Sequence, residues 1–297
     1  MSRAHSPSTG RAYGVAFLCR VLEIARSTVY AQRDRRTDPQ PPEKRGPKPR
    51  VADAELLTAI RADLAATTFH GEGHRKVWAR LRFGGIRVAR RRVLRVMREQ
   101  SLLAPTRLGR AHGPKAHDGT ITTTRPDEMW GTDATSCATT ESNATVFLAV
   151  DHATGECIGL HAAAIGNRFE ALEPIRQGVR ERFGSYDAQV AATLTLRHDN
   201  GSQYTSGHFQ AELRYLGITS SPAFVREPQG NGCAERFVRT LKENLLWVHR
   251  FATVEELRLA LLDFKERYNR SWLIERHGHI TPSAAREKLM AAARVAA

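Results

Sequence analysis

Three carboxylates stand where chemistry at a phosphate is possible. Asp133 lies in Trp130-Gly131-Thr132-Asp133-Ala134-Thr135, just ahead of a strand-rich stretch. Asp199 ends an alternating apolar run and is followed by Asn200-Gly201-Ser202, a turn signal. Glu235 opens a helical stretch after Pro228-Gln229-Gly230-Asn231-Gly232, which is rich in breakers. Two acids at strand ends and one on a helix can converge on one point. Such a cluster repels itself unless cations are bound, and hard oxygen ligands with open positions suit Mg2+ or Mn2+. A pair of such ions clamps the attacking and leaving oxygens of an in-line phosphoryl displacement.

The helix carrying Glu235 adds detail. Glu235, Arg239 and Lys242 fall at i, i+4 and i+7 and share a face. That face would present a metal ligand and two cations to a polyanion. Phe237, Leu241 and Leu245 fall on another side, suited to packing. Taken alone, Glu235 and Arg239 also fit an ordinary surface pair of a helix, worth a few tenths of a kcal/mol.

The elements that must hold these acids are legible in part. β-like runs occur at 145–151, 157–164 and 193–198, and helical patterns at 168–183, 207–216, 232–247 and 254–268. This alternation predicts a mixed sheet covered by helices over residues 129–297. Upstream, Leu56, Leu57, Ile60 and Leu64 predict one helix. Residues 74–83, with Val77, Trp78 and Leu81, predict another. After a Gly84-Gly85 turn, residues 88–99 predict a third, with Val93, Leu94 and Met97 inside. Residues 1–36 read as a small helix-turn-helix-like module. Val15, Leu18, Leu22 and Val29 line one side, and Ser27 is placed to cap the second helix. Residues 37–50 (five prolines, basic) read as an extended linker, and the polar stretch 105–128 as a second connection. The expected organisation is thus 1–36, linker 37–50, a basic helical domain 51–104, connection 105–128, and a core over 129–297.

Charge divides the 297 residues unevenly. Residues 1–115 hold 25 Lys and Arg against nine Asp and Glu, and the remainder is close to neutral, within a total of +14. That asymmetry points to nucleic acid as the partner of the first half. Arg87, Arg90, Arg91, Arg92, Arg95 and Arg98 crowd one short stretch. Like charges so close repel, so we expect them to meet phosphates. A solvated arginine-rich helix is the plainer alternative. No apolar stretch is long enough to span a bilayer and no signal peptide is visible, so a cytoplasmic place, with no membrane partner, is expected. Cys19, Cys137, Cys157 and Cys233 are widely spaced, which predicts buried free thiols rather than a zinc site.

Other candidates weigh less. Asp151, ending TVFLAVD, fits an Asx turn better than a metal ligand. His198 is expected to point away from the site, and His152, His161 and His208 to be structural or exposed. Trp130 and Trp247 are expected as core or interface anchors, with base stacking the alternative.

The words around the acids resemble a known family. Asp199 and Glu235 are separated by 35 residues, which is similar to the D…D-35-E signature of insertion-sequence transposases and retroviral integrases. Thr132-Asp133, His198-Asp199-Asn200-Gly201-Ser202-Gln203-Tyr204, and Asn231-Gly232-Cys233-Ala234-Glu235-Arg236-Phe237 with Lys242 resemble the family's three catalytic blocks. Tyr268-Asn269 and Thr281-Pro282 resemble its C-terminal tail. Gly71-Glu72-Gly73-His74-Arg75-Lys76-Val77-Trp78 and Arg91-Arg92-Val93 resemble the helix-turn-helix ahead of it, and Ser27-Thr28-Val29-Tyr30 its start. The chain resembles the second-frame (OrfB) transposases of IS-three-type insertion sequences over nearly its whole length. It departs at Gly131, where bulkier residues are common, and at Cys233, for which a packed thiol is expected.

The resemblance implies an α/β, RNase H-like fold, a mixed five-stranded sheet flanked by helices and preceded by small all-α helix-turn-helix domains. It implies a DNA transposase with Asp133, Asp199 and Glu235 as catalytic residues and ligands of two Mg2+ ions, Mn2+ substituting. Asp133 would bridge both ions, and Arg239 and Lys242 would hold DNA phosphates. The partners implied are the element ends and target DNA, further copies of the chain, and an upstream-frame protein joined by frameshifting. Because this chain starts at its own Met1, we expect it to lack that upstream segment and to bind DNA with little sequence preference alone. Competing classes are a regulator with a degenerate core, a nuclease that only hydrolyses, and a DNA-packaging protein. The complete triad disfavours the first and the near-neutral second half disfavours the last.

Overall fold

A computed structural model describes residues 5–37, 50–105, 123–223 and 231–296. The body of the proline-rich linker (38–49), most of the second connection (106–122) and the loop 224–230 lie outside them. The chain divides into two units, Met1–Arg50 and Val51–Ala297.

In the first unit, α1 (Val15–Val21) and α2 (Arg26–Thr37) form the expected helical pair. Cys19 is buried, and Val15, Leu18 and Val29 are partly covered, but Leu22 is half exposed and does not join them. Helix α2 starts at Arg26, so Ser27 sits inside it rather than at its cap.

The second unit begins with α3 (Asp53–Ala66), α4 (His74–Phe83) and α5 (Arg90–Glu99). Leu56, Ile60, Val77, Leu81, Val93, Val96 and Met97 bury together, and Leu57, Leu64 and Trp78 pack on their rim. The turn between α4 and α5 uses Gly85 at φ 90, a conformation that disfavours any side chain.

The sheet follows. Strands β1 (Met129–Ala138), β2 (Asn143–Asp151) and β3 (Cys157–Ala163) form an antiparallel meander. Then β4 (Thr195–His198) runs parallel to β1, and β5 (Thr219–Pro222) parallel to β4. The order is β3-β2-β1-β4-β5, the mixed five-stranded RNase H-like sheet. Helices cover both faces. Ala144, Val146, Leu148 and Val150 of β2 face α9 (Gly232–Leu241) and α10 (Val254–Ser271). Phe147 and Ala149 face α6 (Glu173–Phe183) and α8 (Gly207–Leu216), the latter entered through the short α7 (Ser202–Thr205). Alternate residues of β2 are therefore buried on opposite sides, which is why its sequence reads as an unbroken apolar run. The chain ends in α11 (Pro282–Ala296). Among the described residues no helix is long and apolar enough to cross a membrane.

Helix α6 lies very close to β3, and Gly159 permits it, since a Cβ there would run into the carbonyl oxygen of Pro174. Gly159→Ala should therefore cost about 1–3 kcal/mol, read as a lower urea midpoint with an unchanged m-value. A midpoint equal to wild type would show that α6 yields without strain.

Residues 51–104 are fastened to the sheet domain. Phe69 buries among Phe264 and Trp272, and the His70 amide donates to Asn244 Oδ1 at 2.7 Å. Arg75 pairs with Glu275 at 2.7 Å, and Lys76 lies on the face of Trp272.

Candidate active site

The geometry of the site begins with the β1–β4 ladder. It runs Met129–Thr195, Trp130–Leu196, Gly131–Arg197 and stops. Asp133 stands two residues beyond Gly131, and Asp199 two beyond Arg197. Both acids therefore lie just past the carboxyl end of the parallel β1–β4 ladder, on the side where an open α/β sheet forms its ligand crevice. Asp133 stays in β1, which is still paired to β2 there through Leu148. Asp199 is already in the turn, where its Oδ1 accepts the Gly201 amide at 2.9 Å.

Glu235 comes from the first turn of α9, which packs against β1 and β2. Ala234, Phe237 and Leu241 of this helix are buried, as is Leu245 just after it, so the apolar side expected from the sequence is the side that docks. Glu235 and Arg239 are exposed and Lys242 is partly covered. Arg239 pairs with Glu243 at 3.0 Å rather than with Glu235. At Lys242 the helix widens into a π turn that runs to Leu246, a break that no signal in the sequence announced.

The acids feel one another. Burial is the main cause that lifts the Asp133 carboxyl from an ordinary 3.8 to about 6. The Ala134 amide works against that rise, repulsion from Asp199 and Glu235 adds to it, and Lys242 opposes it. Loss of hydration also raises Glu235. Among the described residues, however, no three His, Cys, Asp or Glu side chains stand close enough together to hold an ion as they are. The three acids share one electrostatic site without forming a closed ligand cage. Their chemistry still fits a hard divalent cation: all donors are carboxylate oxygens, and Asp133 is destabilised as an anion by its two neighbours.

The neighbours are structural. Asp151 is fully buried and accepts from the Thr154 amide and hydroxyl and from the Asp127 amide, so it closes a turn as expected. His198 is buried and joins the Asp199 carbonyl and Ser220. His152 is buried too, and burial lowers it to about 4. Trp130 is a core residue whose Nε1 donates to Asp127, whereas Trp247 is 69% exposed and stands outside the core of the described residues. Cys137 and Cys157 are buried free thiols, and Cys233 packs beside the core.

The arginine-rich stretch separates into two groups. Arg92 and Arg95 both fold onto Asp53, at 2.5 and 2.6 Å, and hold its carboxyl below the usual range. Arg92 also donates to the Val51 carbonyl. These two tie α5 to the start of α3. Arg87, Arg90, Arg91 and Arg98 are exposed.

Asn231 lies in the breaker-rich loop ahead of α9, where the sequence alone gives it no role in the site. Its side chain reaches from the start of α9 to the Thr132 carbonyl, at 2.9 Å. The signal was an asparagine one residue ahead of a helix, which ordinarily marks a cap.

A β3-β2-β1-β4-β5 sheet with two acids just past its β1–β4 ladder, faced by a helix bearing a third, has the arrangement of an RNase H-like fold. Residues 216–282 match the integrase core domain family, and residues 53–110 match the HTH-like domain family. Two stretches of the chain are thus similar to an HTH-like domain and, after it, to an integrase core domain. It is 27% identical over 249 residues to the insertion element IS2A 48.2 kDa protein of Escherichia coli, covering 82% of this chain and 57% of that protein. It is likewise 27% identical to the Escherichia coli transposase InsD of insertion element IS2, covering 80% of this chain and 78% of that one. The catalytic core domain of BIV integrase aligns with a TM-score of 0.41 at 22% identity, covering 57% of this chain and 99% of the integrase domain.

Proposed function

We propose that this chain is a DNA transposase that cuts at the ends of an insertion sequence and joins the freed ends to target DNA. The observation that carries the reading is the placement of Asp133 and Asp199 each two residues beyond one ladder pair, with the Asp133 carboxyl lifted by burial and by both other acids. Water attacks a phosphodiester at the element end and leaves a 3′-OH. That hydroxyl then attacks a target phosphodiester, and one ester is exchanged for another. Neither ATP nor a covalent protein–DNA link is needed. Asp133, Asp199 and Glu235 would hold two divalent cations, Mg2+ by preference and Mn2+ as substitute. Bound there, the pair would activate the attacking oxygen and stabilise the leaving one. Asp199 and Glu235, both exposed, have the freedom to close on Asp133 as its charge is neutralised. Lys242 and Arg239 receive flanking phosphates. Similarity to IS2 transposases supports the reading. An oligomer on paired ends, and an upstream-frame partner that reads the terminal repeats, complete it.

The deciding assay supplies DNA with 3′-OH ends, Mg2+ and a second duplex. Covalently joined product is expected. Nicked DNA with no joined product would reduce the chain to a nuclease.

The helices of residues 51–104 would grip DNA mainly through phosphates. Affinity should then fall steeply with salt. Arg90→Ala and Arg91→Ala should each flatten the plot of log affinity against log salt by about one charge. Arg92→Ala, whose side chain is occupied by Asp53 and Val51, should change that slope little and lower the thermal midpoint instead. Equal slopes for all three would remove these arginines from the interface.

A further inference from the structure

We infer that Asn231 is a positioning residue that sets how closely the Glu235 helix approaches the Asp133 strand, an inference that rests on the carboxylate site proposed above. Asn231 occupies the N-cap of α9 but makes no side-chain cap hydrogen bond. The helix start forgoes the stabilisation that a capping oxygen gives. The side chain crosses instead to another element, and its Nδ2 donates to the Thr132 carbonyl. Thr132 immediately precedes Asp133 and lies one residue past the end of the β1–β4 ladder. Its hydroxyl donates to the Leu148 carbonyl at 2.8 Å. Thr132 is therefore held from β2 on one side and from α9 on the other, and Asp133 inherits that fix.

Gly131 makes room for the bridge. A Cβ there would stand 2.8 Å from Asn231 Oδ1 and 2.8 Å from His152 Nε2, so any larger residue pushes the Asn231 amide away from Thr132. Asn231 is only 5% exposed, which leaves it little space to retreat. The absence of a side chain at 131 and the asparagine at 231 are two parts of one contact, and it spans the interval that the two acids must close.

Asn231→Asp separates this role from simple capping. Aspartate caps a helix as well as asparagine does, but it has no N–H to offer Thr132. The expected result is a single-turnover cleavage rate lowered about tenfold to a hundredfold, as for outer partners of metal ligands. The Mg2+ concentration at half-maximal rate should rise while DNA affinity stays near wild type. The rate is read well below the thermal midpoint, which should fall because a carboxylate is then buried against the Thr132 carbonyl. Gly131→Ala should act in the same direction through Oδ1, and the double variant should be no slower than the worse single one. An Asn231→Asp protein with wild-type rate and Mg2+ dependence would overturn the inference, as would losses that multiply in the double variant. Asp133→Asn run alongside tells the two levels apart. If it is inactive while Asn231→Asp is fully active, only the positioning role is lost. If Asp133→Asn is itself active, the carboxylate reading beneath it falls.

Discussion

Asp133→Asn should abolish cleavage and joining together while leaving DNA affinity unchanged. Loss of an outer partner of a metal ligand costs about tenfold to a hundredfold, and loss of the ligand itself should exceed that. The same substitution should make the metal-free protein more stable. The Asp133 carboxyl ionises near 3.8 in an unfolded chain and at about 6 here. Between those values the folded protein holds a proton that the unfolded chain releases, so stability declines as pH rises from about 4 through 6 and is level above. At pH 7 the buried charge costs about 1–3 kcal/mol, allowing for partial solvent screening. Asparagine removes that cost and its pH dependence. Mg2+ should restore stability to the wild type, by about 2.7 kcal/mol at a hundredfold excess over its dissociation constant, and should not act on Asp133→Asn. Thermal melts in EDTA and in Mg2+ across pH 4–8 read all of this. A variant that still joins DNA, or whose melts follow the wild-type pH curve, would remove Asp133 from the site.

The second large effect is on folding. Arg286 of α11 donates to both Asp127 oxygens, at 2.6 and 2.9 Å, and to Glu156. Its side chain is 12% exposed and that of Glu156 4%. Removing the cation leaves a buried carboxylate without its main counter-charge, with Arg182 at 3.1 Å and the Ser283 hydroxyl at 3.5 Å still beside it. Arg286→Met should cost about 3–5 kcal/mol, a fall in thermal midpoint of roughly 10 °C for a domain of this size. Adding Glu156→Gln should recover part of the loss, since the stranded charge is then gone. A single variant that melts with the wild type would mean that α11 is held by its apolar contacts alone.

What the sequence disclosed depended on what each element buries. Strand β2 was visible because apolar residues fill both of its faces. Strand β1, MWGTDATSCA, carries small and hydroxyl side chains, and only the family resemblance pointed to it. It is a strand because β2 pairs with it along its whole length and β4 at its start. Strand β5, TSSP, has no apolar pattern and is held by its ladder with β4. Asp199 and Glu235 could be picked out because breakers flank them. Asn231 could not, since a cap and a cross-bridge look alike in one dimension. The six arginines read as one basic surface, and nothing local showed that Asp53, some forty residues earlier, would engage two of them. Phe69, a lone aromatic between two helices, gave no hint that it belongs to the core of the sheet domain.

Asn244 has a wider consequence. From the π turn behind α9 it accepts the His70 amide and donates to the Thr240 carbonyl, at 2.7 and 2.9 Å, while Phe69 beside it is set among the aromatics of α10. The segment leading into α4 and the helix that bears Glu235 are therefore clamped with no slack between them. Under the proposed function, with a duplex gripped at residues 51–104 and cut beside Asp133, such a clamp would act as a ruler that sets the number of base pairs from grip to cut.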